Sequence, residues 1–148
     1  MGGRILRRMR LLITRRVALA LVSLCLLGWR AAAQDTAPAQ KAATEWLVLI
    51  DAGRYADSWT TAASTFKQAV TQEKWQDAVK TARDRMGPLK SRALKQATPA
   101  KNPPGAPAGD YVIFQYGSSF EGSDAATESV STVLDTDGTW RVVGYFVR

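Results

Sequence analysis

Few side chains in this 148-residue sequence can do chemistry, and most of those are charged. There is no histidine, and the single cysteine is Cys25. Beyond residue 25 this excludes nucleophilic catalysis built on either residue type, and zinc or haem sites with those ligands. Arg85, Arg92, Arg141 and Arg148 could cluster across a helix end and a sheet into an anion site, because planar guanidinium forks suit carboxylate or phosphate. Salt bridges are the plainer alternative, since thirteen acids are at hand. Asp51 and Asp57 flank Gly53-Arg54, where service at helix ends explains both: Asp57 facing a helix dipole from a first turn, Asp51 solvated or bonded to nearby backbone. Asp135 and Asp137 belong to a hairpin tip, and their local backbone bonding accounts for them. No glycine-rich phosphate loop is present, no serine stands near an activating base, and no cofactor or metal site is read.

The charges are unevenly spread. Seven of the twenty basic residues precede residue 31, and no acid precedes Asp35. From Gln34 onward, thirteen basic residues balance thirteen acidic ones. The formal +7 therefore belongs to the N-terminal segment, and the body has no electrostatic case for binding nucleic acid or anionic lipid. Residues 1–16 are arginine-rich, residues 17–27 form an apolar run of 11, and Ala31-Ala32-Ala33 follows. That order reads as a secretory signal peptide, and 11 apolar residues fall short of the ~20 that a spanning helix needs. We expect residues 1–33 to be removed, with a flexible leader at 34–41 and one domain at 42–148. The setting is periplasmic or secreted, in a bacterium of the Gram-negative type, with no membrane association after cleavage. Thr14-Arg15-Arg16-Val17 resembles a twin-arginine signal, but Ala18 replaces the usual bulky residue, and ordinary unfolded export fits better. Leu24 is too bulky for a lipoprotein cleavage site before Cys25, and Met9 could serve as the start as well as Met1.

An exported domain without cysteine is held by packing alone, and Trp46, Trp59, Trp75 and Trp140 are ample material for it. Ala43, Trp46, Leu47 and Ile50 fall on one face of an amphipathic helix that Gly53 ends. Tyr55, Trp59, Ala62 and Phe66 continue at helical spacing, as one helix or as two broken near Ser64-Thr65. Thr71 can cap a further helix with Trp75, Ala78, Val79, Ala82 and Met86 inward, stopped at Gly87-Pro88. The period then changes to two. Residues 91–97 are a weak strand, 102–109 a turn-rich connection, and 111–120 a strong strand with Val112, Phe114 and Tyr116 on one face. Residues 127–134 align Val130, Thr132 and Leu134. Asp137-Gly138 makes a tight reversal, and 140–147 returns with Trp140, Val142 and Phe146 on one side, and Arg141, Val143 and Tyr145 on the other. These inward rows carry no Asp or Glu in this reading. Helices followed by hairpin-linked strands predict an α+β fold with an antiparallel sheet of about four strands.

Trp46-Leu47, the run from Asp51-Ala52-Gly53-Arg54-Tyr55 to Trp59, Trp75, the segment from Arg85 to Arg92, Pro104-Gly105, Tyr111-Val112 and the closing Asp137-Gly138-Thr139-Trp140-Arg141-Val142 carry a resemblance. They are similar to a family of small exported bacterial proteins, the domain of unknown function 4019. The order of elements also resembles the nuclear transport factor 2-like fold, a cone of N-terminal helices against a curved antiparallel sheet. That likeness implies a pocket between helices and concave sheet, lined by Trp46, Tyr55, Trp59, Phe114, Tyr116 and Trp140, with Phe146 beside them. It would suit a small apolar or planar ligand, or simply be filled as core. Enzymes of that fold pair a carboxylate with a tyrosine, which makes Asp51 or Asp57 with Tyr55 or Tyr116 the proton-transfer candidates, an isomerase or dehydratase. The resemblance brings no assigned activity and no catalytic residue. The expectation is a non-catalytic exported module that binds a small apolar ligand or an envelope protein. Ile113, Val143 and Tyr145 are consistent with a homodimer through the outer sheet face.

Overall fold

Ala39, Ala43, Trp46, Leu47 and Ile50 recur at helical spacing and all are buried, so the first helix, α1 (Ala37–Asp51), sets one apolar stripe against the sheet. The computed structural model describes residues 35–148; the expected signal peptide, Cys25 and the alternative starts lie outside them. The expected leader at 34–41 is corrected: the helix already begins at Ala37. Ala39 and Ala43 lie one turn apart and are fully buried, and Pro38 occupies a first-turn position where its missing N–H costs no bond. Gly53 ends the helix with φ +70°. The Gly53 N–H donates to the Ile50 carbonyl at 3.0 Å and the Arg54 N–H to that of Leu49 at 2.8 Å, the paired bonds of a Schellman stop.

The next helical stretch is two short helices, α2 (Tyr55–Thr60) and α3 (Ser64–Ala69), and the break falls at 61–63, just before the expected Ser64-Thr65. Three indoles hold this region. Trp46 Nε1 donates to the Ser58 carbonyl at 2.8 Å, Trp75 Nε1 to Ser58 Oγ at 2.9 Å, and Trp59 Nε1 to the Val70 carbonyl at 2.8 Å. Thr71 caps α4 (Gln72–Met86) through the Lys74 N–H, as its hydroxyl and position predict. The buried face of α4 is Trp75, Val79 and Arg83. Ala78 is exposed and Ala82 and Met86 only half-buried, which corrects the wholly apolar face read from sequence.

Four strands follow as an antiparallel meander in the order β1-β2-β3-β4: β1 (Leu89–Lys101), β2 (Asp110–Phe120), β3 (Ser123–Leu134) and β4 (Trp140–Val147). The architecture is α+β, helices then an open four-stranded antiparallel sheet. β1 extends well past the weak 91–97 candidate because its partner β2 supplies the pairing that its own pattern lacks. Two bulges, Pro99 and the lysines Lys90, Lys95 and Lys101 blunt this exposed edge against further strand pairing. At the other edge, the Ala63 N–H donates to the Val142 carbonyl at 2.8 Å, which anchors the start of α3 on β4.

A bulge in β4 decides which side chains face the helices. Thr132 pairs with Val142 but Ser131 with Gly144, so Val143 is an extra residue. Alternation slips by one: Val142 and then Tyr145 turn toward the helices, and Phe146, 58% exposed, turns away. This corrects the expected inward Phe146 and outward Tyr145. Val112, Phe114 and Tyr116 of β2 and Val130 of β3 complete the core under α1 and α4. Among the described residues, no helix is long and apolar enough to cross a membrane.

Candidate functional site

The inward row of β3 reads Ala126, Glu128, Val130, Thr132, and all four are buried. Strand alternation thus carries a carboxylate into the seam beside the valine and threonine that the sequence reading recognised. Glu128 is 0% exposed. Its Oε2 accepts hydrogen bonds from Arg92 Nε and Ser118 Oγ, both at 2.5 Å. Its Oε1 accepts from Tyr145 OH at 2.6 Å, Arg92 Nη2 at 3.0 Å and Arg83 Nη1 at 3.3 Å. Arg92 also reaches Asp51, whose Oδ2 accepts from Nη1 at 2.7 Å and whose Oδ1 accepts from Nη2, shared with Glu128, at 2.9 Å. Arg83 Nη2 donates to the same Asp51 Oδ1 at 3.0 Å, and its guanidinium lies over the Phe120 ring, 4.6 Å from the centroid.

Two helices and all four strands supply this network: Asp51 from the end of α1, Arg83 from α4, Arg92 from β1, Ser118 from β2, Glu128 from β3 and Tyr145 from β4. Two guanidiniums balance two carboxylates. Burial works against the Arg92 cation, but its hydrogen bonds to Asp51 and Glu128 outweigh that and hold its pKa above the ordinary arginine value. Burial first, and then the charge of Glu128, push the Tyr145 hydroxyl well above the usual tyrosine range. Its ring meets Trp46 at 5.5 Å and Trp75 at 6.5 Å, so the ionic cluster borders the aromatic core directly. The inward strand rows thus do contain an acid, which corrects the sequence reading. The seam is held by ions as well as by rings.

A carboxylate offers about four lone-pair directions, and Glu128 already takes five donors. It has no lone pair left for a substrate proton. Asp51 is the part of the network that meets solvent: it lines a groove of about 530 Å³ with Ile50, Gly53, Tyr55, Arg83, Asp84 and Pro88. Both of its oxygens already accept hydrogen bonds from guanidinium donors. Asp57 lies in the first turn of α2 and pairs with Arg54 at 2.6 Å on the surface. Among the described residues, no three of His, Cys, Asp and Glu come together as a metal site requires.

The six aromatic residues singled out from sequence divide. Trp46, Phe114 and Tyr116 are buried in the core, while Tyr55, Trp59 and Trp140 pack around its margin. Trp46 and Trp140 line a shallow groove of about 340 Å³ rimmed by Glu45 and Arg141; Tyr55 lines the Asp51 groove. Phe114 and Tyr116 line neither. The Tyr116 hydroxyl is buried without a hydrogen-bond partner among the described residues, and burial raises its pKa. Arg92 and Arg141 stand in separate clusters, which corrects the possible anion site shared by all four arginines. Arg92 turns into the network, whereas Arg141 grips Asp137 through two bonds at 2.8 Å and reaches Asp135 at 3.3 Å. Asp135 in turn accepts the Ser64 N–H at 3.0 Å and the Ser64 hydroxyl at 2.8 Å, tying α3 to the hairpin.

Sequence reasoning missed Glu128, Arg83 and Tyr145. Counting back two from Val130 reaches Glu128, and counting on four from Val79 reaches Arg83, so position was legible. What was not legible is that each charge finds its opposite inside. For Tyr145 no local signal exists, because the bulge sets its direction.

Fold and network together define a small α+β domain whose helical layer is locked to an open antiparallel sheet by a balanced set of buried charges. The chain belongs to the family described as Protein of unknown function (DUF4019), which residues 42–145 match. No curated protein and no solved structure matches it. The nuclear transport factor 2-like likeness therefore rests on element order alone.

Proposed function

We propose that this protein is an exported, non-catalytic binding or interaction module, and that the charge network is its structural lock. The observation that carries this reading is Glu128: fully buried, and saturated by donors from four other elements. A group so committed holds parts together and is closed to a substrate. Export is supported by the basic, apolar and small-residue order of residues 1–33, and a periplasmic or secreted setting follows from it. The occupant is a small apolar ligand or an envelope protein, and a second copy of the chain is a further candidate.

The competing reading is a proton-transfer enzyme. It draws on Asp51 and Tyr55 lining one groove, and it is weakened by the two guanidiniums that Asp51 already holds. The two readings separate in D2O. The protein is incubated with enolisable ketones and deuterium uptake is followed by NMR. The module reading expects no uptake above the buffer rate. Uptake that disappears in Asp51→Asn would overturn it. N-terminal mass determination of the protein recovered from the periplasmic fraction is expected to show a chain starting at Gln34; a chain starting at Met1 or Met9 would count against cleavage.

A further inference from the structure

Asp137-Gly138 is the one aspartyl-glycyl step in the 148-residue sequence, and it stands at the tip between β3 and β4. Such a step carries a reaction of its own. The backbone nitrogen of the second residue attacks the side-chain Cγ of the first and a C–N bond forms. The nitrogen's proton and the carboxyl hydroxyl leave as water, and a five-membered succinimide closes. Water then returns across either ring carbonyl, which gives back aspartate or leaves isoaspartate, with the chain running through the side-chain methylene. No oxidant or cofactor is needed. Glycine hinders the attack least, because it has no Cβ. Here Gly138 has φ +79°, and a Cβ at that position would meet no atom within 4 Å, so the tip is open to water. Asp137 is itself 55% exposed.

The surroundings oppose each requirement of that reaction. The attacking nitrogen is engaged, because the Gly138 N–H donates to the Asp135 carbonyl at 2.9 Å. The carboxyl is engaged at both oxygens. Arg141 Nη1 and Nη2 donate to Oδ1 and Oδ2, each at 2.8 Å, and the Thr139 N–H donates to Oδ1 at 3.0 Å. A turn of the side chain about Cβ–Cγ therefore breaks a two-pronged bond. The hydroxyl leaves as water only from a protonated carboxyl, and Arg141, followed by the Thr139 N–H, holds this one well below the usual carboxylate range. Other exposed aspartates lack the open step. Asp124, 85% exposed, precedes Ala125. Asp57 precedes Ser58, whose N–H is bonded to the Arg54 carbonyl in α2.

We propose that Asp137-Gly138 is a latent modification site of this protein, convertible to isoaspartate, and that Arg141 guards it. The proposal is independent of the module reading. Isoaspartate adds one carbon to the backbone of the reversal that leads into β4, the strand that supplies Tyr145 to the charge network.

The test ages the folded chain, unaltered and as Arg141→Gln, at pH 6 and 37 °C, with the unaltered chain in guanidinium chloride as the unguarded reference. Cleavage after glutamate releases residues 129–148. Isoaspartate at position 137 is read by chromatography with electron-transfer fragmentation, and by methylation with isoaspartyl methyltransferase. Conversion in folded Arg141→Gln is expected to run at least about tenfold faster than in the unaltered protein, since each unit by which the carboxyl returns toward its ordinary pKa raises its protonated share about tenfold. Unfolding the unaltered chain is expected to speed it as well. Asp124 is expected to convert equally slowly in both folded proteins, and Arg54→Gln, which frees Asp57, to yield no isoaspartate there. An unaltered folded protein that converts as fast as the unfolded chain would overturn the proposal. So would a folded Arg141→Gln that converts no faster than the unaltered protein, or one in which Asp124 speeds up as much as Asp137, because that is general loosening. Melting temperatures establish that the variant is folded during ageing. Should Arg141→Gln melt too low, Arg141→Lys, which gives up the two-pronged bond, is read in its place with a smaller rise expected and the same outcomes deciding.

Discussion

Two clusters of arginine and carboxylate sit in this molecule, alike in chemistry and opposite in surroundings. Around Glu128, the charged side chains range from 0% to 25% exposed. Around Arg141, the partner Asp137 is 55% exposed at a hairpin tip. At Glu128, 0% exposed, water cannot replace a missing partner, so that carboxylate depends on every donor it holds. In the second cluster it can. The buried cluster therefore works as a requirement on the whole fold, because six elements must arrive together to satisfy it, while the exposed one trims a single turn. Asp135 stands between these extremes, 9% exposed and bonded to α3 through Ser64.

The contrast can be broken most forcefully at its buried end. Glu128→Gln leaves two guanidiniums with one carboxylate, and urea unfolding at pH 7 is expected to show a loss of about 3–5 kcal/mol. If the loss comes from unpaired charge, then replacing both ions by apolar groups is gentler than replacing one. Arg92→Met combined with Glu128→Leu is expected to be more stable than Glu128→Gln alone, and a double variant as weak as the single would show that the shape of the ions matters more than their balance. Next in size is Asp135→Ala, which removes the hook that holds the first turn of α3. A loss of about 1–2 kcal/mol is expected, with amide exchange at Ser64 and Thr65 rising first.

Acid sharpens the same contrast at the exposed end. The Ser64 N–H and hydroxyl hold the Asp135 carboxyl below the usual range, with smaller help from Thr136 and Arg141. The Arg141 guanidinium, and then the Thr139 N–H, hold that of Asp137 well below it. A carboxyl whose folded pKa is depressed contributes its stabilisation above its unfolded value, near 4, and loses it as pH falls through the folded value. Stability is thus expected to decline below about pH 4, and less steeply in a variant carrying Asp135→Asn and Asp137→Asn. The smallest effect belongs to Asp137→Ala, whose exposed pair is screened by water and which is expected to lower the melting temperature at pH 7 less than any variant above.

What could be read from sequence were features that a local stretch encodes. The apolar stripe of α1, its glycine stop, the Thr71 cap, the Asp137-Gly138 reversal and the α+β order all follow from spacing within a dozen residues. The early start of α1 at Ala37 escaped because a string of alanines, glutamine and a proline is bland until the sheet gives Ala39 and Ala43 something to touch. β1 was faint because it is an edge, polar on both sides, and its length is set by β2. Glu128 was passed over because a glutamate in a strand ordinarily faces water, and the guanidiniums that reverse this lie 36 and 45 positions away. The phase slip at Val143 hid Tyr145 in the same way, since a period-two reading has no means of knowing where a strand inserts one residue too many.

The lock also has a timetable. Its bonds join residues from 10 to 62 positions apart, and the set is complete only once the last strand is seated beside the third. We expect the folding transition state to be crossed with these ions still largely hydrated and their mutual attraction to accrue afterwards, which φ-values near zero at Glu128 and Arg83 would show. The cluster should reveal itself in the lifetime of the finished molecule more than in how quickly it is reached. In the exported setting proposed above, where no ATP-driven chaperone acts on an unfolded chain, slow escape from the native state would be the more useful of the two.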